Sequence, residues 1–186
     1  MSETRKLAGP GNTPGSRRIA AVIRCAALLI AVTCVGGAAS GAGAAQAQKF
    51  DPITFFSGVT DSTGTLKQAF SAAKATHVTG FGAMRGNGVF VLDQTMIVTG
   101  AAAKNRQWQL HQISPGHFGG TISDAKGPVT IDVTGNRLLI RYTMNNGLKV
   151  ESVLTIEQGG RTGRNLSTVR KWGMSVATLN ETISKR

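Results

Sequence analysis

Cysteine is scarce in this chain and absent after residue 34. Cys25 and Cys34 both lie in the first 47 residues, which we expect to be removed before the protein acts. The rest of the chain therefore cannot form a disulfide, a cysteine nucleophile or a thiolate metal site. Residues 48–186 must be stabilised by their hydrophobic core alone, and they are long enough for one domain with such a core.

Acidic residues are also few. Residues 48–186 keep 16 of the 21 basic residues and 8 of the 9 acidic ones, so their net charge is +8. A surface of this sign attracts anionic lipid headgroups, lipopolysaccharide or acidic polysaccharide. A cationic surface that only keeps the protein soluble is the simpler alternative. Nucleic acid is disfavoured as a partner because the basic residues are scattered and are not clustered with aromatics.

The sequence contains no recognisable catalytic constellation. It has no nucleophile elbow and no phosphate-binding loop. Glu151 and Glu157 are too far apart to act as a catalytic carboxylate pair, because six residues span about 20 Å along a strand. His77, His111 and His117 lack the spacing and the accompanying carboxylate of a zinc site, and we interpret them as solvated side chains. We therefore predict a protein that is not an enzyme and that needs no metal or cofactor.

The first 47 residues have the pattern of a signal peptide. Basic residues precede an apolar run from Cys25 to Val35, and the small residues that follow end in Ala45-Gln46-Ala47, a favourable cleavage site. The apolar run is shorter than the roughly 20 residues of a spanning helix, so a permanent anchor is the weaker alternative. We expect cleavage before Gln48 and a periplasmic protein with no stable transmembrane segment, whose residues 48–186 form one domain.

Two further features concern export and anchoring. The residues before Cys34 are Ala31-Val32-Thr33, which differ from the Leu-Ala-Gly type expected at a lipid-attachment site, so a lipoprotein is disfavoured. Ser16-Arg17-Arg18 resembles part of a twin-arginine signal, but the bulky residue usual after it is missing. General secretion is the expected route.

From Val89 to Ile183 the chain alternates short runs rich in Val, Ile, Leu and Thr with tight turns. Turns such as Gly86-Asn87-Gly88 and Asn145-Asn146-Gly147 are typical of hairpins. The pattern predicts an all-β fold, an antiparallel up-and-down meander of about ten strands closed into a barrel. Such a barrel has either a packed interior or one ligand cavity.

The beginning of the domain is less regular. Residues 50–65 are predicted as a first strand, and residues 66–75 as either a helical turn or a wide connection between strands. The remaining predicted strands are residues 76–84, 89–99, 106–113, 117–123, 129–134, 137–144, 148–157, 161–172 and 174–183.

Alternation along the strands predicts which side chains face the interior. One face of the strand at 137–144 is apolar, and the strand at 106–113 places its tryptophan and a leucine inward. Such residues are either ordinary core or the wall of a cavity. The candidate ligand-binding residues are Arg106, Trp108, Leu110, Ile140, Tyr142 and Met144.

Arg106 has two possible positions. It shares a strand face with Trp108 and Leu110, so it either points inward near the barrel mouth or lies at the rim with its head in water. An inward guanidinium must be paired or must hold an anionic group of a ligand.

An ordered set of motifs resembles a bacterial family of unknown function. The motifs are Phe55-Phe56-Ser57-Gly58, Leu92-Asp93-Gln94, Arg106-Gln107-Trp108, Phe118-Gly119-Gly120-Thr121 with Asp124, Gly127-Pro128-Val129, Gly135-Asn136-Arg137-Leu138, Arg141-Tyr142, Asn165 and Lys171-Trp172-Gly173. The resemblance implies an exported protein with a lipocalin-like, calycin-type barrel. This chain departs from that family at Gln94, where a second acid is usual, and it lacks a late Asp-Asp-Trp element.

Two classes of function agree with these observations. The first is a periplasmic binding protein that holds a small apolar or amphiphilic, lipid-like molecule in the barrel. The second is an interaction or structural protein of the cell envelope, with a filled barrel and a basic surface that faces an anionic partner. The volume of the interior distinguishes them, because only a carrier needs a cavity of a few hundred Å3.

Overall fold

The computed structural model describes residues 50–186, which form one short helix and ten strands. The elements are α1 (Pro52–Phe56), β1 (Gly58–Gln68), β2 (Lys74–Met84), β3 (Phe90–Val98), β4 (Lys104–Ser114), β5 (His117–Ile122), β6 (Val129–Thr134), β7 (Arg137–Thr143), β8 (Lys149–Ile156), β9 (Thr162–Lys171) and β10 (Met174–Lys185). Within this part of the chain, no helix is long and apolar enough to cross a membrane. The predicted signal peptide, residues 1–47, and its cleavage site lie outside the described residues.

The ten strands close into an antiparallel up-and-down barrel. Each strand pairs with its neighbours in the chain, and β1 closes the barrel by pairing with β10. Closure leaves no strand edge unpaired, which removes the aggregation hazard of an open sheet. The predicted fold class and strand number are confirmed, and the strands predicted from residue 76 onward agree with β2–β10 to within about two residues at each end.

The first predicted strand was wrong at its start. Residues 52–56 form the helix α1, because Asp51 accepts hydrogen bonds from the backbone N–H groups of Ile53 and Thr54 at 3.1 and 3.2 Å. Pro52 follows this N-cap at the first helical position, where its missing N–H costs nothing. Strand β1 begins only at Gly58.

Of the two alternatives for residues 66–75, the structure shows the connection between strands, limited to residues 69–73. Leu66 to Gln68 continue β1, a turn follows around Phe70 and Ser71, and β2 begins at Lys74. No helical turn forms, because pairing of Leu66 with Leu179 and of Gln68 with Ala177 gives this segment its hydrogen bonds in the sheet.

Helix α1 closes one end of the barrel. Phe55 and Phe56 are buried in the core, and the N–H of Phe50 donates to the carbonyl of Gly135 in the β6–β7 turn at 3.2 Å. Gly82 of β2 permits the close approach of α1, because a Cβ there would collide with the carbonyl oxygen of Phe56. The opposite end, formed by the turns β1–β2, β3–β4, β5–β6, β7–β8 and β9–β10, has no such plug among the described residues.

Candidate functional site

The barrel encloses a cavity of about 370 Å3. Its floor is formed by side chains next to α1, including Pro52, Phe56 and Leu138, and its wall reaches Asn146 and Leu148 at the other end. This volume lies within the range of about 300–1,000 Å3 that is typical of small-molecule sites. The cavity therefore extends from α1 toward the opposite end of the barrel.

All six candidate ligand-binding residues line this one cavity: Arg106, Trp108, Leu110, Ile140, Tyr142 and Met144. Strand alternation had placed these side chains inward, except that of Arg106, for which the rim was the alternative. Trp108 and Leu110 are buried, and the other four are half-buried. Their role in binding a ligand stays a prediction.

Arg106 takes the inward of its two possible positions. Its Nε donates to Oε1 of Gln94 at 3.0 Å, and its guanidinium lies 5.5 Å from the centre of the Trp108 ring. Trp108 donates from Nε1 to the same Gln94 oxygen at 2.7 Å. Among residues 50–186, no carboxylate lies within ion-pair distance of Arg106. The cavity thus contains a guanidinium whose hydrogen-bonded neighbour is a neutral amide.

Tyr142 lies beside this group. Its ring meets Trp108 edge to face, with 5.8 Å between the ring centres and an angle of 80°. Burial raises the pKa of the Tyr142 phenol above its usual value of 10.0, because the charged phenolate would lose its hydration. The charge of Arg106 opposes this rise, and the charges of Asp124 and Glu181 add to it.

A second polar group on the cavity wall was missed by the sequence reasoning. Glu181 of β10 is buried and accepts hydrogen bonds from Ser62 Oγ at 2.8 Å and from Asn165 Nδ2 at 2.9 Å. Asn165 also donates to Ser167, whose hydroxyl lies 2.6 Å from that of Ser152. Asn165 Oδ1 is buried and has no hydrogen-bond partner within the described part of the chain. We call Ser62, Ser152, Asn165, Ser167 and Glu181 the buried polar cluster.

The alternation along the strands places residues of the buried polar cluster at inward positions. Glu181 lies two residues from Leu179 and from Ile183, so it shares their inward face, and Ser152 interrupts the inward row between Val150 and Leu154. Polar residues at inward positions of a barrel strand are the exception. Applying the period of two to every residue, and not only to apolar ones, would have identified them.

The three histidines are exposed, which agrees with their interpretation as solvated side chains. His117 Nδ1 lies 2.8 Å from Asp132, and His77 Nε2 lies 3.6 Å from Asp61, on the outside of the barrel. Within residues 50–186, no group of three or more metal-binding side chains comes together.

Solved structures share this fold. The chain is similar to the S-type phycobiliprotein lyase of Guillardia theta, with a TM-score of 0.58 and 6% identity over 72% of this chain and 90% of that one. It is also similar to a protein of unknown function from the DUF3598 family of Nostoc punctiforme, with a TM-score of 0.52 and 11% identity over 78% of this chain and 53% of that one. These barrels confirm the expected lipocalin-like, calycin-type architecture, and at such low identity the likeness concerns the fold alone.

No curated protein matches the sequence. Residues 29–185 match a family model described as a protein of unknown function, which confirms the resemblance seen in the ordered motifs. The match extends over most of the chain, and the chain therefore belongs to the DUF3833 family.

Proposed function

We propose that this chain is a periplasmic binding protein that holds a small amphiphilic molecule with an anionic headgroup in its barrel. The observation that carries the proposal is the position of Arg106, a half-buried guanidinium that faces a cavity of about 370 Å3 and that lacks a carboxylate partner among residues 50–186. The periplasmic part of the proposal rests on the predicted signal peptide.

The guanidinium favours an anionic ligand group. A half-buried charge has lost part of its hydration, and an opposite charge in the cavity would compensate for that loss. The planar fork of arginine donates two parallel hydrogen bonds to a carboxylate or phosphate. Gln94 and Trp108 hold the guanidinium in place, so little conformational entropy remains to be lost on binding.

Apart from Ser152, Asn165, Ser167 and Glu181, the remainder of the cavity favours an apolar tail. Leu110, Ile140 and Met144 line the cavity, and side chains from β8, β9 and β10 complete the lining. An apolar chain in such a cavity removes its surface from water. Asn165 Oδ1, which has no hydrogen-bond partner among residues 50–186, can accept a hydrogen bond from a hydroxyl of the ligand.

Two further observations support a carrier over the alternative of a filled barrel. An interior of about 370 Å3 is hollow, whereas an interaction protein that uses only its outer surface needs no cavity. The fold is also similar to that of a phycobiliprotein lyase, and a lipocalin-like barrel of this kind is compatible with small-molecule binding.

A fluorescence titration tests the proposal. Trp108 reports the cavity, so the titration is done in a Trp172→Phe background with dodecanoic acid and with dodecanol, which differ only in the headgroup. We expect saturable binding of both, with the acid preferred. Arg106→Ala should weaken binding of the acid by about ten- to a hundredfold, since a hydrogen-bonded charge contributes about 1.5–3 kcal/mol, and should change binding of the alcohol little.

Two further variants sharpen this experiment. Gln94→Glu places a carboxylate beside Arg106 and should remove the preference for the acid while keeping the guanidinium. Arg141→Ala is the matched control, because Arg141 lies on the outer face and pairs with Asp132 and Glu151 at 3.2 and 3.3 Å. Absence of binding, or an equal preference in wild type and Arg106→Ala, would contradict the proposal.

A further inference from the structure

We propose that the open end of the barrel docks on an anionic lipid bilayer. The docking surface consists of Phe70, Trp172 and Met174 together with Lys67 and Lys171, which we call the rim. This inference goes beyond ligand binding and does not depend on what the cavity holds.

The rim is formed by two adjacent turns. Phe70 lies in the β1–β2 turn, and Trp172 lies in the β9–β10 turn. Strands β1 and β10 are paired, and the N–H of Ala69 donates to the carbonyl of Val176 at 2.9 Å. The two turns therefore project side by side from the end of the barrel opposite α1.

The aromatic side chains of the rim are fully presented to solvent. Phe70 is wholly exposed, Trp172 is 85% exposed and Met174 is 64% exposed. Phe70 and Trp172 also have φ angles of 61° and 49°, in the left-handed region where glycine and asparagine are usual. Large apolar side chains held outward on unfavourable backbone point to a function at the surface.

The two rim turns and the strand ends beside them carry basic and no acidic residues. The sequence has no acidic residue between Asp61 and Asp93 or between Glu157 and Glu181, the two stretches that contain the rim turns. Lys67 and Lys171 lie in the rim, and Lys74 reaches the same end of the barrel. Arg170 also lies there, 3.8 Å from Glu151. Basic residues beside exposed aromatics are complementary to anionic headgroups.

The geometry at Trp172 favours a bilayer over a protein partner. The amine of Lys171 lies 4.5 Å from the centre of the Trp172 ring. This arrangement places an amphipathic indole and an ammonium at the same level, as they occur at the interface between lipid headgroups and acyl chains. The rim turns are short, with five residues between β1 and β2 and two between β9 and β10.

Exposed apolar residues elsewhere provide a control. Phe81 is 55% exposed on the outer face of β2, where it pairs with Val59, toward the end closed by α1. A side chain there cannot reach a bilayer that contacts the rim. Phe81→Ser therefore removes the same exposed aromatic group as Phe70→Ser, but at the opposite end of the barrel.

Quenching of Trp172 by vesicles tests the inference in the full chain. Trp172 is one of two tryptophans, so it is the only tryptophan in a Trp108→Phe background. Residues 1–49 contain no tryptophan, so the tryptophan emission reports the rim. With vesicles of phosphatidylglycerol and phosphatidylcholine that carry brominated acyl chains, we expect a blue shift and quenching. Pure phosphatidylcholine should give much less. Quenching of both tryptophans in the wild-type chain provides the same comparison if Trp108→Phe does not fold.

Variants distinguish the rim from non-specific adsorption. Phe70→Ser should reduce the quenching, and the pair Lys67→Gln and Lys171→Gln should weaken vesicle affinity on the order of tenfold and reduce its salt dependence. Phe81→Ser should have no effect. Emission that vesicles do not change, as expected if the rim binds a protein, would overturn the inference. So would quenching that is independent of phosphatidylglycerol, or that Phe81→Ser reduces equally.

Discussion

One amide oxygen organises the polar wall of the cavity. Oε1 of Gln94 accepts hydrogen bonds from both Arg106 and Trp108, so it fixes the guanidinium and the indole with a single neutral group. A carboxylate at this position would hold the same two donors but would also neutralise Arg106. Glutamine at this position therefore leaves the positive charge of Arg106 unneutralised, as the proposed binding of an anionic headgroup requires.

Tyr142 gives a direct test of the environment of Arg106. It is the only tyrosine of the chain, so its ionisation can be followed by ultraviolet absorbance without overlap. Burial raises its pKa above 10.0, and the charge of Arg106 limits that rise. We expect a midpoint above 10.0 in the wild type, a higher one in Arg106→Ala and an unchanged one in Arg141→Ala.

The same pKa shift has a consequence for stability. Because the folded protein favours the neutral phenol, the contribution of Tyr142 is fully present below about pH 10. It is lost as the pH rises from there through the higher pKa of the folded state, since the unfolded chain releases this proton first. A midpoint at or below 10.0, or one that Arg106→Ala leaves in place, would show that the phenol is not buried beside the guanidinium.

At the scale of the elements, alternation along each strand separates the interior from the surface. On β7, Leu138 is fully buried and lies in the core beneath the cavity, whereas its neighbour Leu139 points outward and is half-buried. The two residues have the same chemistry and nearly the same backbone, so the difference between them depends on the face alone.

Substitution of these two leucines tests which face of β7 points into the barrel. Leu138→Ala should lower the free energy of unfolding by about 2–5 kcal/mol, because it removes buried methyl groups and leaves a void. Leu139→Ala should cost about 1 kcal/mol or less. Urea denaturation of both variants gives the two values. Equal losses would mean that the register of β7 is wrong.

The strands from β2 onward were predictable because each is a regular alternating run between turn residues. Helix α1 was not predicted, because two phenylalanines next to Gly58 favour a strand, and only the N-cap Asp51 followed by Pro52 indicates the helix. The inward position of Arg106 was left open by the sequence, since its partner Gln94 lies on the preceding strand and the β3–β4 register decides the contact. Glu181 was not predicted, because a carboxylate at an inward position of a barrel strand is the exception.

The whole molecule has two different ends. Helix α1 closes one end, and the rim turns with their exposed aromatics lie at the other. The cavity reaches toward the rim through Gln68, Val98 and Asn146. If the rim rests on a bilayer, a lipid-like molecule can pass between the membrane and the cavity without crossing water. Carrier function and membrane docking are thus compatible in one architecture, although each stands on its own observations.

Occupancy of the cavity in the cell is the central claim, and native mass spectrometry of protein purified from its own envelope tests it most directly. Ala177 lines the cavity near its open end, and Ala177→Trp should fill that space; Thr178→Trp places the same side chain on the opposite face of β10 as the control. We predict an added mass from an acidic amphiphile in wild type and in Thr178→Trp, and none in Ala177→Trp. A ligand-free wild-type protein, or equal retention in Ala177→Trp, would contradict the account.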